Sequence, residues 1–142
     1  MGAAEYVRGL AALNNYAERL ALSALREIPD GVYAFRDVMD DDGMGHSDVA
    51  IAATVRVAAG KVHVDFAGTA AQVSGNINCP LSVAAAGVYY VFRCLMPDYI
   101  PDCAGSFRPI SISAPSGSLL NARPPAAVAA GNVETSTRVV TW

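Results

Sequence analysis

The hydrophobic positions change their period along the chain, and the changes mark its elements. Tyr6, Leu10, Leu13, Ala17, Leu20 and Ala24 recur at spacings of four and three, while Arg8, Asn15, Glu18, Arg19 and Arg26 lie mostly off that line. Such a stripe falls on one face of an α-helix, so residues 1–28 are predicted to be helical. The pattern stops at "IPDG", where Pro29 disfavours helix at Ile28 and Asp30-Gly31 favours a turn. No capping residue opens this helix, which predicts that Met1 is not a natural start. Residues 32–66 read as a β region. "VYAF" is a short strand candidate, and "DVMDDDGMGHSD" is an acidic, glycine-bearing loop. A period of two follows, with Val49, Ile51, Ala53, Val55 and Val57 on one face and Ala50, Ala52, Thr54 and Arg56 on the other. Ala58-Ala59-Gly60-Lys61 can close a hairpin whose return strand turns Val62, Val64 and Phe66 inward and Lys61, His63 and Asp65 outward.

The alternation ends in "DFAGTAAQVSGNINCP", residues 65–80, a run of small hydrogen-bonding residues. "PLSVAAAGVYYVFRCL" is then predicted as a helix over residues 80–96, with Pro80 in its first turn and Asn78 as its cap. Apolar residues surround it until Arg93, so it is predicted to be buried on most sides. Pro97 and Pro101 end it. Residues 105–142 hold a short strand in "FRPISISAP", a loop stiffened by Pro124-Pro125, and in "NVETSTRVVTW" a helix start capped by Asn132 and cut short at Trp142. The predicted fold class is α+β: an antiparallel hairpin and short strands packed with two or three helices. Connections of about 15 residues are uncommon in a self-contained domain and fit better inside a larger multidomain subunit.

Composition sharpens this picture. The chain has 142 residues, 53% hydrophobic and 16% charged, a charged share well under the usual ~25%. Disorder is excluded, and part of the surface is predicted to face another domain or subunit. A net charge of −3 with scattered basic residues, Lys61 the single lysine, argues against nucleic acid as partner. No uncharged apolar run reaches the ~18 residues of a membrane span, and "MGAAEYVRGL" lacks the layout of a secretory signal. Cys79, Cys94 and Cys103 form no C-x-x-C and read as reduced thiols of a cytoplasmic protein.

Candidate chemistry is sparse. Asp40, Asp41, Asp42, Gly43, His46 and Asp48 suggest a hard cation. However, Val38 occupies the first calcium-loop position and no closing glutamate follows, so a solvated loop without metal is expected. His63 and Asp65 share a strand face but have no nucleophile beside them in sequence, so a structural or interface histidine is expected. "VSGN" and "PSGS" lack the first glycine of a nucleophile elbow, and no Walker A or G-x-G-x-x-G motif occurs. Catalytic residues stay unassigned. In residues 65–80, Gly68 and Gly75 permit close backbone approach, while Thr69, Gln72, Asn76 and Asn78 offer uncharged donors and acceptors. Such a loop can bind a small polar amide or satisfy its own backbone. Both readings stand.

The strings "VDFAGTAAQVSGNINCPLSVAAAGVYYVFRCL" and "IPDCAGSFRPISISAPSGSLLNARPPAAVAAGNVETSTRVV", with "YAERLALSALREIPDGVYAF" before them, resemble the hydantoinase B / 5-oxoprolinase family. "GNIN", "FRPI", "GSLLN", "RPPAAV" and "GNVETS" occur in the family's order, and the similarity spans nearly the whole chain. The resemblance implies one fragment, residues 1–142, internal to a much longer B-type subunit. It implies a role in ATP-dependent hydrolysis of a cyclic amide, as in N-methylhydantoinases and 5-oxoprolinases. A partner A subunit of actin-like ATPase fold would hold ATP and a divalent cation, with no cofactor in this segment. The expected partners are that A-like subunit, the missing parts of its own chain and a small cyclic amide. The segment alone is expected to be inactive. The alternatives are a non-catalytic scaffold or subunit-interaction module and, within the family, an acetone or acetophenone carboxylase-type subunit. Metal ligands of the carboxylase relatives lie N-terminal to the matched region, so none is carried over. The expected substrate contacts are Asp65, Thr69, Gln72, Asn76 and Asn78. A second expected group is Arg108, beside Phe107, with Asn121, Arg123, Asn132, Glu134 and Thr135, the last three near a helix N-terminus able to receive an anion.

Overall fold

The alternation over residues 49–57 is realised as strand β2 (Ser47–Ala58), with β1 (Gly31–Asp41) on one side and β3 (Lys61–Asp65) on the other. The computed structural model describes residues 2–141. Both pairings are antiparallel, with Met39 opposite Val49, Val55 opposite Val64 and Val57 opposite Val62. A fourth strand, β4 (Ile110–Ser113), adds in parallel beside β3, which sets Ile110 against Val62 and Ile112 against Val64. The sheet is therefore mixed and four-stranded, within the predicted α+β class. Parallel neighbours require a crossover, here supplied by residues 66–109, which include helix α2 (Leu81–Leu95).

Two strand expectations are corrected. β1 is not the short "VYAF" but an eleven-residue strand, and Asp37, Asp40 and Asp41 belong to it rather than to a loop. Pairing with β2 overrides their weak strand preference, since β propensity is mostly a matter of what the neighbouring strand offers. Met39 turns inward between the half-buried Val38 and the exposed Asp40. The loop between the strands shrinks to residues 42–46.

Helix α1 (Ala3–Leu25) buries Ala17, Ala21 and Leu25. Its first half stands clear of the fold: Tyr6, Leu10 and Leu13, predicted to face the core, are 53%, 42% and 43% exposed. Every described residue up to Leu13 is exposed. The second half is held by small residues that allow close approach and by Asn14, whose Oδ1 accepts the Gly105 N–H at 2.6 Å. Gly105 lies in a 3-10 turn (Ala104–Phe107) after α2.

α2 buries one face, Ala84, Gly87, Val88 and Phe92, and leaves Tyr90 and Leu95 exposed, so it is not buried all round as predicted. Pro80 is its N-cap residue, in extended conformation, rather than part of its first turn, and no side chain caps it. A second 3-10 turn (Ala130–Asn132) leads into α3 (Glu134–Val140), whose N-cap is Val133 instead of the predicted Asn132. α3 lays Val139 against Gly87 of α2. The core is continuous through Leu25, Ile51, Val62, Phe66, Ile100, Leu119 and Leu120, all at most 2% exposed.

Candidate functional site

The polar run after β3 is threaded through the fold by its own side chains. Thr69 Oγ1 donates to the Ala52 carbonyl and accepts the Ala52 N–H, both at 3.1 Å, and the Ala70 N–H donates to the Ala50 carbonyl. The chain thus continues along β2 where β3 ends. Gln72 reads the backbone of Arg123, its Oε1 accepting the Arg123 N–H at 2.8 Å. Asn78 is fully buried. Its Oδ1 accepts the Val73 N–H at 2.7 Å, and its Nδ2 donates to the carbonyls of Val73, Gly75 and Ala127 at 2.8–2.9 Å. A buried amide needs partners for both its oxygen and its nitrogen, and here the two Nδ2 hydrogens are shared among three carbonyls. Asn78 therefore organises its own loop and does not cap α2.

"GNIN" and "GNVETS" form one interlocked unit. Gly131 presses on the Asn78 carbonyl so closely that a Cβ there would overlap it, and Gly75 meets the Asp42 carbonyl in the same way. The Asn76 carbonyl accepts the N–H groups of Ala130 and Gly131, while the buried Thr135 hydroxyl donates to the Ile77 carbonyl. Only glycine permits such contact. Cys79 lies buried behind this unit, and burial pushes its thiol up to about 11.

One pair of side chains here was not anticipated. The Asp42 side chain has no exposed surface. Its Oδ1 accepts the N–H groups of Met44 and His46, and its Oδ2 accepts the Gly75 N–H at 3.0 Å and meets His46 Nδ1 at 2.8 Å. Burial alone raises this carboxyl. The N–H groups of His46, Met44 and Gly75 and the His46 ring outweigh it and hold Asp42 well below the usual carboxylate range. An ionised carboxylate only accepts, so Nδ1 carries a proton, and in the neutral imidazole Nε2 is left with its lone pair. The expectation of a solvated loop holds for the half-exposed His46 ring and fails for Asp42. The legible signal was an aspartate four residues before a histidine across a glycine turn, a local side-chain-to-backbone motif.

On the outer face of the sheet, Ser113 Oγ donates to Asp65 Oδ1 at 2.7 Å and lies 3.2 Å from His63 Nε2, while His63 Nδ1 is 2.9 Å from Ser111 Oγ. The Ser113 hydroxyl is the main influence lowering Asp65. Partial burial opposes it, and the Ala67 N–H with the nearby His63 and Arg56 charges adds to it. Asp65 thus bonds Ser113 and the Ala67 N–H rather than Asn78 or Gln72.

The second predicted group does not converge. Arg108 bonds Asn15 and Glu18 of α1 at 2.9 and 3.0 Å. Asn121 donates to the Ala114 carbonyl, and Arg123 Nε reaches Ser116 Oγ. Asn132 and Glu134 are exposed, and Thr135 points inward. No side chain caps the start of α3, and the Thr135 hydroxyl expected there is spent on the Ile77 carbonyl. Among the described residues, no group of three His, Cys, Asp or Glu is placed to hold a metal, and no helix is long and apolar enough to cross a membrane.

Open space lies around the Asp42 end of the loop. A cavity of about 350 Å³ is lined by Asp42, Ser74, Gly75, Asn76 and Ala127. Another of about 400 Å³ is lined by His46, Gln72, Ser74 and Ala127. Ser74 and Ala127 form the wall common to both.

A family model described as Hydantoinase B/oxoprolinase matches residues 1–142, and the chain belongs to that family. 5-Oxoprolinase 1 of Arabidopsis thaliana is 42% identical over 103 residues, 72% of this chain and 8% of its own length. The B subunit of a putative D-/L-hydantoinase of Pseudomonas sp. strain NS671 is 35% identical over 120 residues, 77% of this chain and 20% of its own. The crystal structure of the ATP-dependent caprolactamase from Pseudomonas jessenii superposes with a TM-score of 0.86 at 26% identity, covering 98% of this chain and 24% of that one. The chain therefore spans under a quarter of each of these relatives.

Proposed function

We propose that this chain is a segment of the B subunit of an ATP-dependent cyclic-amide hydrolase of the N-methylhydantoinase / 5-oxoprolinase type, acting in the cytoplasm. The supporting observation is the family match over all 142 residues, joined to relatives named for 5-oxoproline, hydantoin and caprolactam. All three are small rings closed by an amide. In this reading the chain supplies a rigid polar loop, and ring activation belongs to an A-type partner that holds ATP and a divalent cation.

The residues here do not fit ATP. The Val73 and Gly75 N–H groups, the natural phosphate donors of a glycine-bearing loop, are already bonded to Asn78 and Asp42. The nearby Arg123 guanidinium is held by Ser116. No step is assigned to ATP in this chain.

A second reading, a folded scaffold or subunit-contact module, is favoured by the exposed apolar stripe of α1 and by Val32, Tyr33 and Phe35 standing 46–66% exposed on the edge strand β1. The two readings separate in one assay. ATP-dependent hydrolysis of hydantoin, 5-oxoproline and caprolactam is measured with the 142 residues alone and with the complete B polypeptide plus its A-type partner. Turnover is expected only in the complete assembly. Turnover by the isolated chain would reject the segment reading. An assembly in which these residues can be exchanged without changing kcat or KM would support the scaffold. Bicarbonate-dependent consumption of a ketone, without ring opening, would move the assembly to the carboxylase branch.

A further inference from the structure

The Asp42–His46 pair is built like a functional histidine and is not needed to close its turn. The turn is already closed by the Asp42 N–H bonding the His46 carbonyl at 3.0 Å and by Asp42 Oδ1 taking two backbone N–H groups. The second carboxylate oxygen fixes the imidazole through Nδ1, the arrangement that sets the tautomer and aim of a histidine wherever its other nitrogen is put to use. That other nitrogen, Nε2, makes no hydrogen bond with a described residue. The ring opens on the cavity it shares with Ser74. Across Ser74 lies the second cavity, where Asn76 stands. The Ser74 hydroxyl and the Asn76 amide are exposed and likewise bonded to no described residue, although Thr69, Gln72 and Asn78 of the same loop all are. Three unpaired polar groups thus rim a surface whose backbone is otherwise locked.

We propose that His46 and Ser74 form a binding site for a small neutral amide in the cavity they share, with His46 Nε2 accepting the ligand N–H and Ser74 donating to its carbonyl. A ring amide presents this N–H and C=O side by side. Asp42 serves the site as a positioning residue, its carboxylate occupied by His46 Nδ1 and by backbone N–H groups. The proposal rests on the cyclic-amide reading for its ligand class.

The test uses hydantoin as probe, in the complete B polypeptide. His46 imidazole resonances are followed by NMR during titration, and affinity is measured for the protein as it stands and for H46A, S74A and D42N. Saturable shifts of the His46 ring are expected. Loss of one hydrogen bond in H46A or S74A should weaken hydantoin about 3- to 10-fold. D42N should redistribute the ring tautomers, visible in the ¹⁵N shifts, a change that a merely structural role for His46 would not link to affinity. Circular dichroism checks that each variant is folded. If His46 does not respond to saturating hydantoin, or if H46A and S74A bind it unchanged, the proposal is overturned. Turnover in the complete assembly distinguishes this failure from that of the wider reading. Ring hydrolysis unaffected by H46A sinks the site and leaves the hydrolase standing. Hydantoin binding that depends on His46, in an assembly that hydrolyses no cyclic amide, sinks the hydrolase and leaves the site.

Discussion

Asn78→Ala removes the centre of the locked loop, and its cost can be worked from the structure. Four hydrogen bonds disappear. The bond to the Gly75 carbonyl is fully buried, so no water replaces it. Those to the Val73 N–H, the Val73 carbonyl and the Ala127 carbonyl are part-buried and regain water incompletely. A buried group left without a partner costs about 1–3 kcal/mol. One group near the middle of that range and three near or below its lower end sum to about 3–5 kcal/mol. That is a large share of the roughly 5–15 kcal/mol that holds a domain together. In urea, with a slope of about 2 kcal/mol per molar, the unfolding midpoint should fall by about 1.5–2.5 M with the slope unchanged. Asn76→Ala is the internal control. Two residues away, Asn76 is exposed and its side chain makes no bond with a described residue, so its midpoint should move by no more than about 0.5 kcal/mol allows. A drop under about 0.5 M for Asn78→Ala, or equal effects for both variants, would show that the loop is not held from Asn78.

Three further outcomes follow from the same unit. Gly131→Ala drives a methyl group into the Asn78 carbonyl and should cost about 2–4 kcal/mol, read as a fall in melting temperature. Because Asp42 titrates lower folded than unfolded, its stabilising contribution is complete above the unfolded carboxylate range near 4. That contribution declines as pH falls toward its folded value, since the unfolded chain then binds more protons. Asp42→Asn should flatten that acid limb in urea titrations run from pH 6 to 2. With its thiol pushed up to about 11 and its side chain buried, Cys79 should resist iodoacetamide at pH 7.5 while the exposed Cys94 is alkylated, as peptide mass spectrometry will show.

The β2–β3 hairpin was legible because two alternating runs flank a turn, and nothing distant competes with that local pattern. The parallel β4 was not. Periodicity says which face a residue takes, and neither the partner nor the direction of a strand is written in it. The stripe of α1 illustrates the same limit: its spacing predicts a helix correctly, but whether Leu10 or Leu13 is covered depends on what else lies nearby. At the candidate site, composition marked residues 65–80 as unusual. It did not show that Asn78 points back into its own loop, because Gly131 and Thr135, which close over it, come more than fifty residues later. His46 and Asp42 were read as solvent-facing for a related reason: the Gly75 N–H that completes the Asp42 cage is 33 positions away.

The pairing of Thr135 with the Ile77 carbonyl spans 58 positions, and this has a temporal meaning. On the ribosome, strands and hairpin emerge and can settle before the lock that secures the loop has been synthesised. Until residues 131–135 leave the exit tunnel, the "GNIN" backbone has no lid and stays hydrated. Long-range closures of this kind come late and are slow. The loop is thus secured only once residues 131–135 have been made, well after the strands that carry it.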